Sequence, residues 1–395
     1  MNCTDVGGEQ VQIVITELTG RQLDMKASPL ESVRSLTARL SESLSLDPLL
    51  VELRLLAANR VLADTEVVAA LPSRDLQLLR LKRTRFAVLG PEIQGSFKYV
   101  AGGVLARNGK IYFAPDGAPR VLCVDPDLDT ADMMGPEIQG YNRYSAGGVL
   151  APNGKIYYAP NGATHVLCID PEAGVVEALG PEIEGYNRYC AGGVLAPNGK
   201  IYFAPNGASR VLCIDPEAGT LEMMGREIEG SGRYSAGGVL ASNGKIYFAP
   251  NEATRVLCID PDLGVAEALG PEIPGSNRYI ACGVLAPNGK IYFAPSGASQ
   301  VLCVDPDRGT AELMGPEIPG FQRYSAGGVL AANRKIYFAP EDASRVLCID
   351  PERGVVEMLG PEIQGCFSAY LASGVLAPNG KIFFAPDEAA RVLCI

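Results

Sequence analysis

The chain has 395 residues, 47% of them hydrophobic, and a formal net charge of −11 at pH 7. Such an acidic protein is poorly suited to the phosphate backbone of nucleic acids, and no segment approaches the 18 uninterrupted apolar residues of a membrane span, so we expect neither partner. The single histidine, His165, excludes a shared Ser-His-Asp design and any multi-histidine metal site.

The first 83 residues carry no repeat and predict a small α+β domain over 11–83, preceded by an N-terminal extension, 1–10. Val11–Thr16 and Arg21–Lys26 are predicted strands, because apolar and β-favouring residues flank a turn that contains glycine. Two further strands are predicted at Val51–Leu56 and Leu76–Leu81.

A helix is predicted between the second and third of these strands. Ser28 and Glu31 have the spacing of a capping box, and Pro29 then occupies the first helical position. Apolar residues follow at helical spacing from Val33 to Leu44. These signals predict that the helix begins next to Ser28.

The segments VQIVITELTGRQLDMK, SPLESVRSLTARLSES, LRLLAANRVLADTEVVAAL and LQLLRLKR resemble ubiquitin in order, spacing and turn positions. The resemblance implies a β-grasp domain with an apolar patch, formed by Leu18, Leu56 and Leu79, that a ubiquitin-pathway-type receptor could read. The alternative is that leucines are simply abundant in this domain. Because no Gly-Gly follows Leu79, conjugation is not expected.

From Gly90 onwards the chain repeats with a period of 45 residues, and seven copies are present. Six copies open with GPEI and one with GREI. The copies begin at Gly90, Gly135, Gly180, Gly225, Gly270, Gly315 and Gly360. Repeats of this length, rich in short apolar runs and turn residues, are typical of β-propellers.

Each copy predicts four short strands. In the second copy these are Tyr144–Ala151, Lys155–Ala159, His165–Ile169 and Val175–Leu179. The dipeptide Asn153-Gly154 separates the first two and predicts a type I′ hairpin turn, in which both central residues have positive φ.

The repeats therefore predict a mainly β fold, a seven-bladed β-propeller over 85–395. The seventh copy reaches only its third strand at Ile395, whereas a spare strand, Arg85–Leu89, precedes the first copy. We expect this strand to complete the last blade and close the ring, which leaves no unpaired edge. The arrangement resembles the strand-exchange closure of seven-bladed propellers. The NGKIYFAP and RVLCIDP motifs are similar to repeats in propeller proteins of single-celled eukaryotes whose activity is unknown.

A basic residue and a tyrosine precede the first strand of six copies, and these pairs are the candidate binding residues of the propeller face. The pairs are Lys98-Tyr99, Arg143-Tyr144, Arg188-Tyr189, Arg233-Tyr234, Arg278-Tyr279 and Arg323-Tyr324. A ring of cations could bind an anion or an acidic peptide. Each GPEI loop also contains a glutamate six residues before the cation, so ion pairs between blades are the competing interpretation.

Seven of the eleven cysteines occupy one position in the third strand of successive copies, which indicates small buried residues rather than disulfides. No CxxC spacing occurs, and no histidine is placed to activate a cysteine. The sequence therefore predicts no catalytic residue, no metal site and no cofactor.

Near-identical blades argue against an enzyme, because catalysis needs a local, asymmetric constellation of residues. The sequence favours a non-catalytic interaction scaffold, in which the propeller binds a protein partner and the ubiquitin-like domain recruits a receptor. A binder of small anions, or an enzyme, using the Arg/Tyr/Glu-lined channel mouth is the alternative. We expect a monomer in the cytoplasm, with the nucleus left open.

Overall fold

The computed structural model describes residues 10–17, 21–44, 51–57, 60–63, 65–73, 75–82, 88–94, 96–363 and 368–395. The chain forms two compact units, Met1–Val88 and Leu89–Ile395. Both are built mainly from β-strands. Within the described ranges, no helix is long and apolar enough to cross a membrane.

The described residues of the first unit form a mixed sheet and one α-helix. Its elements are β1 (Val11–Glu17), β2 (Gln22–Ala27), α1 (Val33–Ser43), β3 (Val51–Ala57), β4 (Arg60–Val61), a 3-10 helix (Val68–Ala70) and β5 (Asp75–Lys82). The strand order is β2-β1-β5-β3-β4. β1 and β5 are parallel, and the other neighbours are antiparallel.

The buried face of α1 packs on this sheet because its apolar residues recur at helical spacing. Val33, Leu36 and Leu40 are buried and form one core with strand residues such as Ile13 and Leu55. Of the predicted N-terminal extension, 1–10, residues 1–9 lie outside the described residues.

The helix begins later than predicted. Ser32 is the N-cap, and its Oγ accepts a hydrogen bond from the Ser35 backbone N–H at 3.2 Å. The Ser28 N–H does reach Glu31 Oε2, at 3.4 Å, but this contact closes a turn before the helix. The error arose because Ser28 and Ser32 both offer an N-cap oxygen, and spacing alone did not decide between them.

The second unit contains six four-stranded sheets and one three-stranded sheet in the part of the chain that is described. The first three sheets are β6 (Val104–Leu105), β7 (Ile111–Phe113), β8 (Val121–Asp125) and β9 (Thr130–Met134); β10 (Val149–Leu150), β11 (Ile156–Tyr158), β12 (Val166–Asp170) and β13 (Val175–Leu179); and β14 (Val194–Leu195), β15 (Ile201–Phe203), β16 (Val211–Asp215) and β17 (Thr220–Met224).

The remaining sheets have the same antiparallel order. They are β18 (Val239–Leu240), β19 (Ile246–Phe248), β20 (Val256–Asp260) and β21 (Val265–Leu269); β22 (Val284–Leu285), β23 (Ile291–Phe293), β24 (Val301–Asp305) and β25 (Thr310–Met314); β26 (Val329–Leu330), β27 (Ile336–Phe338), β28 (Val346–Asp350) and β29 (Val355–Leu359); and β30 (Val375–Leu376), β31 (Ile382–Phe384) and β32 (Leu393–Cys394).

Successive sheets bury their apolar faces against each other. One core cluster combines Tyr157 and Cys168 of the second sheet with Ile201, Phe203 and Leu212 of the third. Equivalent clusters join the other neighbouring sheets. A single repeat therefore needs a neighbouring repeat for stability, because one face of each sheet is buried by the next copy.

The first strand of each repeat is much shorter than predicted. In the second copy only Val149–Leu150 pairs with the next strand, whereas the prediction began at Tyr144. Gly148 explains part of the difference: a Cβ at this position would lie 2.4 Å from the Tyr158 ring. The aromatic ring takes the space of a side chain, so the segment before Val149 packs closely without forming a ladder.

The hairpin at Asn153-Gly154 is not the predicted type I′ turn. Only Gly154 has positive φ, +82°. The Gly154 N–H donates to Ala151 O at 3.0 Å, and the Ala151 N–H donates to Lys155 O at 2.9 Å. These bonds match a longer hairpin loop with one glycine in the left-handed region.

Candidate functional site

The arginines of the predicted binding ring are buried between successive sheets. The Arg188 guanidinium donates through Nη1 to Asn161 O at 3.1 Å and to Ala163 O at 2.9 Å, both in the preceding repeat. Four other arginines repeat this contact with at least one carbonyl. They are Arg143, Arg233, Arg278 and Arg323, and all five arginines are at most 8% exposed. These arginine–carbonyl contacts, which we call the arginine joints, connect one sheet to the next.

The tyrosines of the pairs are also internal. Tyr189 is fully buried, and its hydroxyl donates to Arg210 O at 3.1 Å. Burial raises the pKa of this phenol and lowers the pKa of the adjacent Arg188. The same hydrogen bond to a carbonyl 21 residues later recurs in the other copies. A ligand would reach these groups only by displacing bonds within the protein.

Lys98-Tyr99 differs from the five arginine pairs. Lys98 and Tyr99 are half-buried, and the Tyr99 hydroxyl donates to Arg120 O at 3.0 Å. The Lys98 carbonyl accepts from the Asp116 N–H at 2.9 Å. Of the six predicted pairs, this one alone keeps a partly exposed cation.

The loop glutamates pair with a different set of arginines from the one considered in the sequence. Each partner stands at the start of the third strand and is 42–44% exposed. The pairs are Arg120–Glu137 at 3.6 Å, Arg210–Glu227 at 3.3 Å, Arg255–Glu272 at 3.4 Å and Arg345–Glu362 at 3.3 Å. His165 and Gln300 replace this arginine in two copies. Exposed pairs of this type contribute little to stability.

A row of buried polar side chains runs beside the arginine joints. Ser145 Oγ donates to Asp116 Oδ1 at 2.8 Å and accepts from Asn161 Nδ2 at 2.9 Å. In later copies the position of Asn161 is occupied by Asn206, Asn251, Ser296 and Glu341. At Ile280, which replaces the serine, the row is interrupted. Among the described residues, Asn251 Oδ1 and Ser296 Oγ have no hydrogen-bond partner.

Glu341 is the most unusual member of this row. It is 5% exposed and accepts a hydrogen bond from Ser325 Oγ. Burial raises the pKa of its carboxyl, while the Ser325 hydrogen bond opposes the shift. The next copy has Ala369 where five other copies have arginine, so this joint lacks a guanidinium.

The cysteines and lysines of the strands serve the fold. Burial raises the pKa of the Cys168 thiol to about 11, which makes it unreactive. Lys155 Nζ lies 3.4 Å from Asp170 Oδ2, and equivalent pairs recur in the other four-stranded sheets. Within the described ranges the cysteines are free, and no three side chains are placed to hold a metal ion.

Three clefts lie at one position in the second, third and fourth repeats, between a GPEI or GREI loop and the start of the third strand. Two have volumes of about 250 and 270 Å³, and the fourth-repeat cleft has about 890 Å³. Ala266 and Ala268 line the large cleft where the preceding copy has Leu221 and Met223. Its charged residues have both signs: Arg226, Arg255, Glu227, Glu229, Glu252 and Glu267.

Two tyrosines stand out on the loops that follow GPEI. Tyr141 and Tyr186 occupy the same position in successive copies, and each is 87% exposed. The fourth and fifth copies have Ser231 and Ser276 there. Sequence reasoning missed these residues, although the departure from serine in two neighbouring copies was a visible signal.

The loops that carry these tyrosines are held in place by close backbone contacts. The Gly162 N–H donates to Asn142 O at 2.6 Å, and a Cβ on Gly162 would lie 2.2 Å from Tyr141 O. In the fourth copy Glu252 replaces this glycine, and its N–H is 3.1 Å from Gly232 O. Glycine therefore permits the closer approach that fixes the tyrosine loop.

Among solved structures, the chain is similar to a catalytically inactive virginiamycin B lyase from Staphylococcus aureus with quinupristin. The identity is 16%, the TM-score is 0.52, and the match covers 75% of this chain and 94% of that chain. A streptogramin B lyase structure matches at 17% identity and a TM-score of 0.50, over 75% and 94% of the two chains.

The chain has a β-propeller-like fold. At these identities the likeness concerns the fold alone, since one fold supports many functions. No protein-family model and no curated protein matches the sequence.

We expect Arg188→Ala to lower the free energy of unfolding by about 2–4 kcal/mol, because two carbonyls lose a charged donor. The matched control is Arg210→Ala, which removes the exposed pair with Glu227 and should cost less than about 1 kcal/mol. Urea denaturation followed by circular dichroism measures both. Equal losses of unfolding free energy in the two variants would contradict a stabilising role for the Arg188 contacts.

We expect Glu341→Gln to raise the melting temperature at pH 7.5 and to raise it much less near pH 4. The folded protein holds the Glu341 proton more tightly than the unfolded chain, so stability is lost as pH rises above the ordinary glutamate pKa of about 4.3. Thermal melts across this range test the sign. Glu172→Gln, at an exposed turn, is the control. If the gain in melting temperature from Glu341→Gln is the same at both pH values, the raised pKa of Glu341 does not explain it.

Proposed function

We propose that the protein is a non-catalytic interaction scaffold that binds a protein partner through its GPEI loops. The observation that carries this proposal is the exposure of Tyr141 and Tyr186 on loops held by close backbone contacts. Tyrosine offers a large, rigid contact area at a low cost in conformational entropy, and it is enriched in binding surfaces.

The polar groups of the strands support a role without catalysis, because they are used within the fold. The five buried arginines donate to backbone carbonyls, and the Tyr189 hydroxyl does the same. His165 contacts the neighbouring Thr164 Oγ1 through Nδ1 at 2.8 Å. The alternative, a small-anion binder or enzyme at the Arg/Tyr/Glu-lined channel mouth, would need these buried guanidinium groups, whose Nη1 atoms already donate to backbone carbonyls.

In this proposal the second unit is a seven-bladed propeller, closed by strand 85–89 pairing with β32. Residues 85–87 of this strand lie outside the described residues. An apolar cavity of about 290 Å³ beside β32, lined by Leu359, Ile363 and Leu393, supports the idea. Val88 and Leu89, the described end of this segment, belong to no strand, and Val88 is fully exposed, so the closure rests on the sequence pattern.

We further propose that the first unit is a ubiquitin-like domain that recruits a ubiquitin-pathway-type receptor. The order β2-β1-β5-β3-β4 with one packed helix supports this proposal. Of the proposed patch, Leu56 is half-buried on β3. Leu18 and the Leu79 side chain lie outside the described residues. We propose that the protein works as a cytoplasmic monomer.

Partner capture with the full chain tests the scaffold. We expect Tyr141→Ser combined with Tyr186→Ser to reduce recovery of the specific partners about tenfold, because anchor residues dominate binding energy. Serine is the residue that the chain itself uses at positions 231 and 276, so the fold should tolerate it. Quantitative mass spectrometry of the captured proteins is the measurement.

The matched control replaces Leu128 and Leu263 by serine. Both are at least 70% exposed, and they lie on the turns between third and fourth strands, away from the GPEI loops. Recovery should be unchanged in this control. If the tyrosine variant retains every partner, the GPEI loops are not the docking surface.

A further inference from the structure

Two acidic residues lie on the loop that carries Tyr186, next to the loop of Tyr141 in the chain's repeat order. Tyr141, Glu182, Glu184 and Tyr186, which we call the acidic tyrosine strip, are all exposed. Tyr141 belongs to the loop 136–142, and the other three belong to the loop 181–187 of the next copy. The chemistry of this strip narrows the choice of partner for the proposed scaffold, on which the inference rests.

Both loops are anchored at two points, so the strip is a preformed surface. The Ile183 N–H donates to Thr164 O at 2.7 Å, and the Ile183 side chain is buried. On the other side of the loop, the Gly207 N–H donates to Asn187 O at 2.7 Å. A preformed site loses little conformational entropy on binding, which favours affinity.

Neither carboxylate of the strip forms a salt bridge within the described residues, although Glu182 attracts the Arg188 guanidinium and partly offsets the effect of burial on its pKa. Glu182 stands where other copies pair their glutamate with an arginine, but here His165 replaces that arginine. Arg188 is the nearest guanidinium in sequence, and it is buried against Asn161 O and Ala163 O. Glu184 occupies the position of Gln139 in the preceding copy.

Tyrosine faces and exposed carboxylates attract the same class of group. A lysine or arginine side chain over a tyrosine ring, within about 6 Å of its centroid, is attracted by the ring quadrupole. Arginine can also form a bidentate pair with a carboxylate. We propose that the acidic tyrosine strip binds an arginine- or lysine-rich segment of the partner protein. The net charge of −11 steers such a segment to the protein.

Fluorescence anisotropy with the full chain tests this inference. The probe is a labelled nine-residue peptide made of three Arg-Gly-Gly units, and the comparison peptides replace arginine by serine or by glutamate. We expect the arginine peptide to bind and the serine and glutamate peptides not to bind. Tyr141→Ser with Tyr186→Ser should weaken it about tenfold, and Glu182→Gln with Glu184→Gln should weaken it and reduce its salt dependence.

The control for total charge is Glu172→Gln with Glu217→Gln, at two exposed turns between third and fourth strands. This pair removes the same charge and should change the dissociation constant less than about twofold, because exposed charges are screened beyond about 10 Å. Equal weakening by both glutamate pairs would overturn the inference in favour of general electrostatic attraction.

Two further outcomes separate this inference from the scaffold proposal. If the tyrosine variant loses captured partners but binds the arginine peptide unchanged, the scaffold stands and the cationic partner class is wrong. Preference for the serine or glutamate peptide would overturn the partner class in the same way. If the variant keeps its captured partners, the scaffold proposal fails at this surface.

Discussion

The structure of the second unit depends on a buried arginine that crosses from each of five repeats to the one before it. Its guanidinium is removed from water, which is costly unless its donors find acceptors. Backbone carbonyls of the preceding repeat accept from Nη1 at 2.6–3.1 Å, whereas the buried Nε of Arg143, Arg188 and Arg323 has no partner among the described residues. Because the adjacent first strands have only two paired residues, these contacts and the apolar clusters fix how one sheet meets the next.

This constraint decides where binding can occur. A cation used as a joint is unavailable to a ligand, so a regular ring of arginines in the sequence does not become a charged surface. The positions free to vary are those that the joint does not need. Tyr141, Tyr186 and Glu184 are such positions, since other copies have serine, glutamine or proline there. Differences among near-identical copies therefore indicate function better than the shared residues do.

Much of the fold could be predicted from the sequence. The fourth strand of the second copy, Val175–Leu179, has the predicted bounds, because turn residues mark both of its ends. The first strand was overestimated, since β-favouring residues from Tyr144 did not reveal that the Tyr158 ring displaces a side chain at Gly148. The helix cap was misplaced for a similar reason: two serines fit the local pattern, and tertiary packing selected Ser32.

The candidate site was less predictable. A carbonyl acceptor has no sequence signature, so nothing indicated that Arg188 would bond the backbone at Asn161 instead of a glutamate. The exposure of Tyr186 was also missed, because an aromatic residue in a β-rich repeat is more often buried, and the change from serine at this position was the one signal in the sequence. Its neighbour in the sequence, Tyr189, follows that rule and is fully buried. Only the geometry of the loop separates the two.

Hydrogen exchange of the arginine side chains, measured by NMR on isotopically labelled protein, tests the buried joint most directly. Guanidinium protons of the five joint arginines should exchange more than about tenfold slower than those of the exposed arginines that pair with loop glutamates. The two sets are Arg143, Arg188, Arg233, Arg278 and Arg323, and Arg120, Arg210, Arg255 and Arg345. Uniformly fast exchange in all nine would contradict the account.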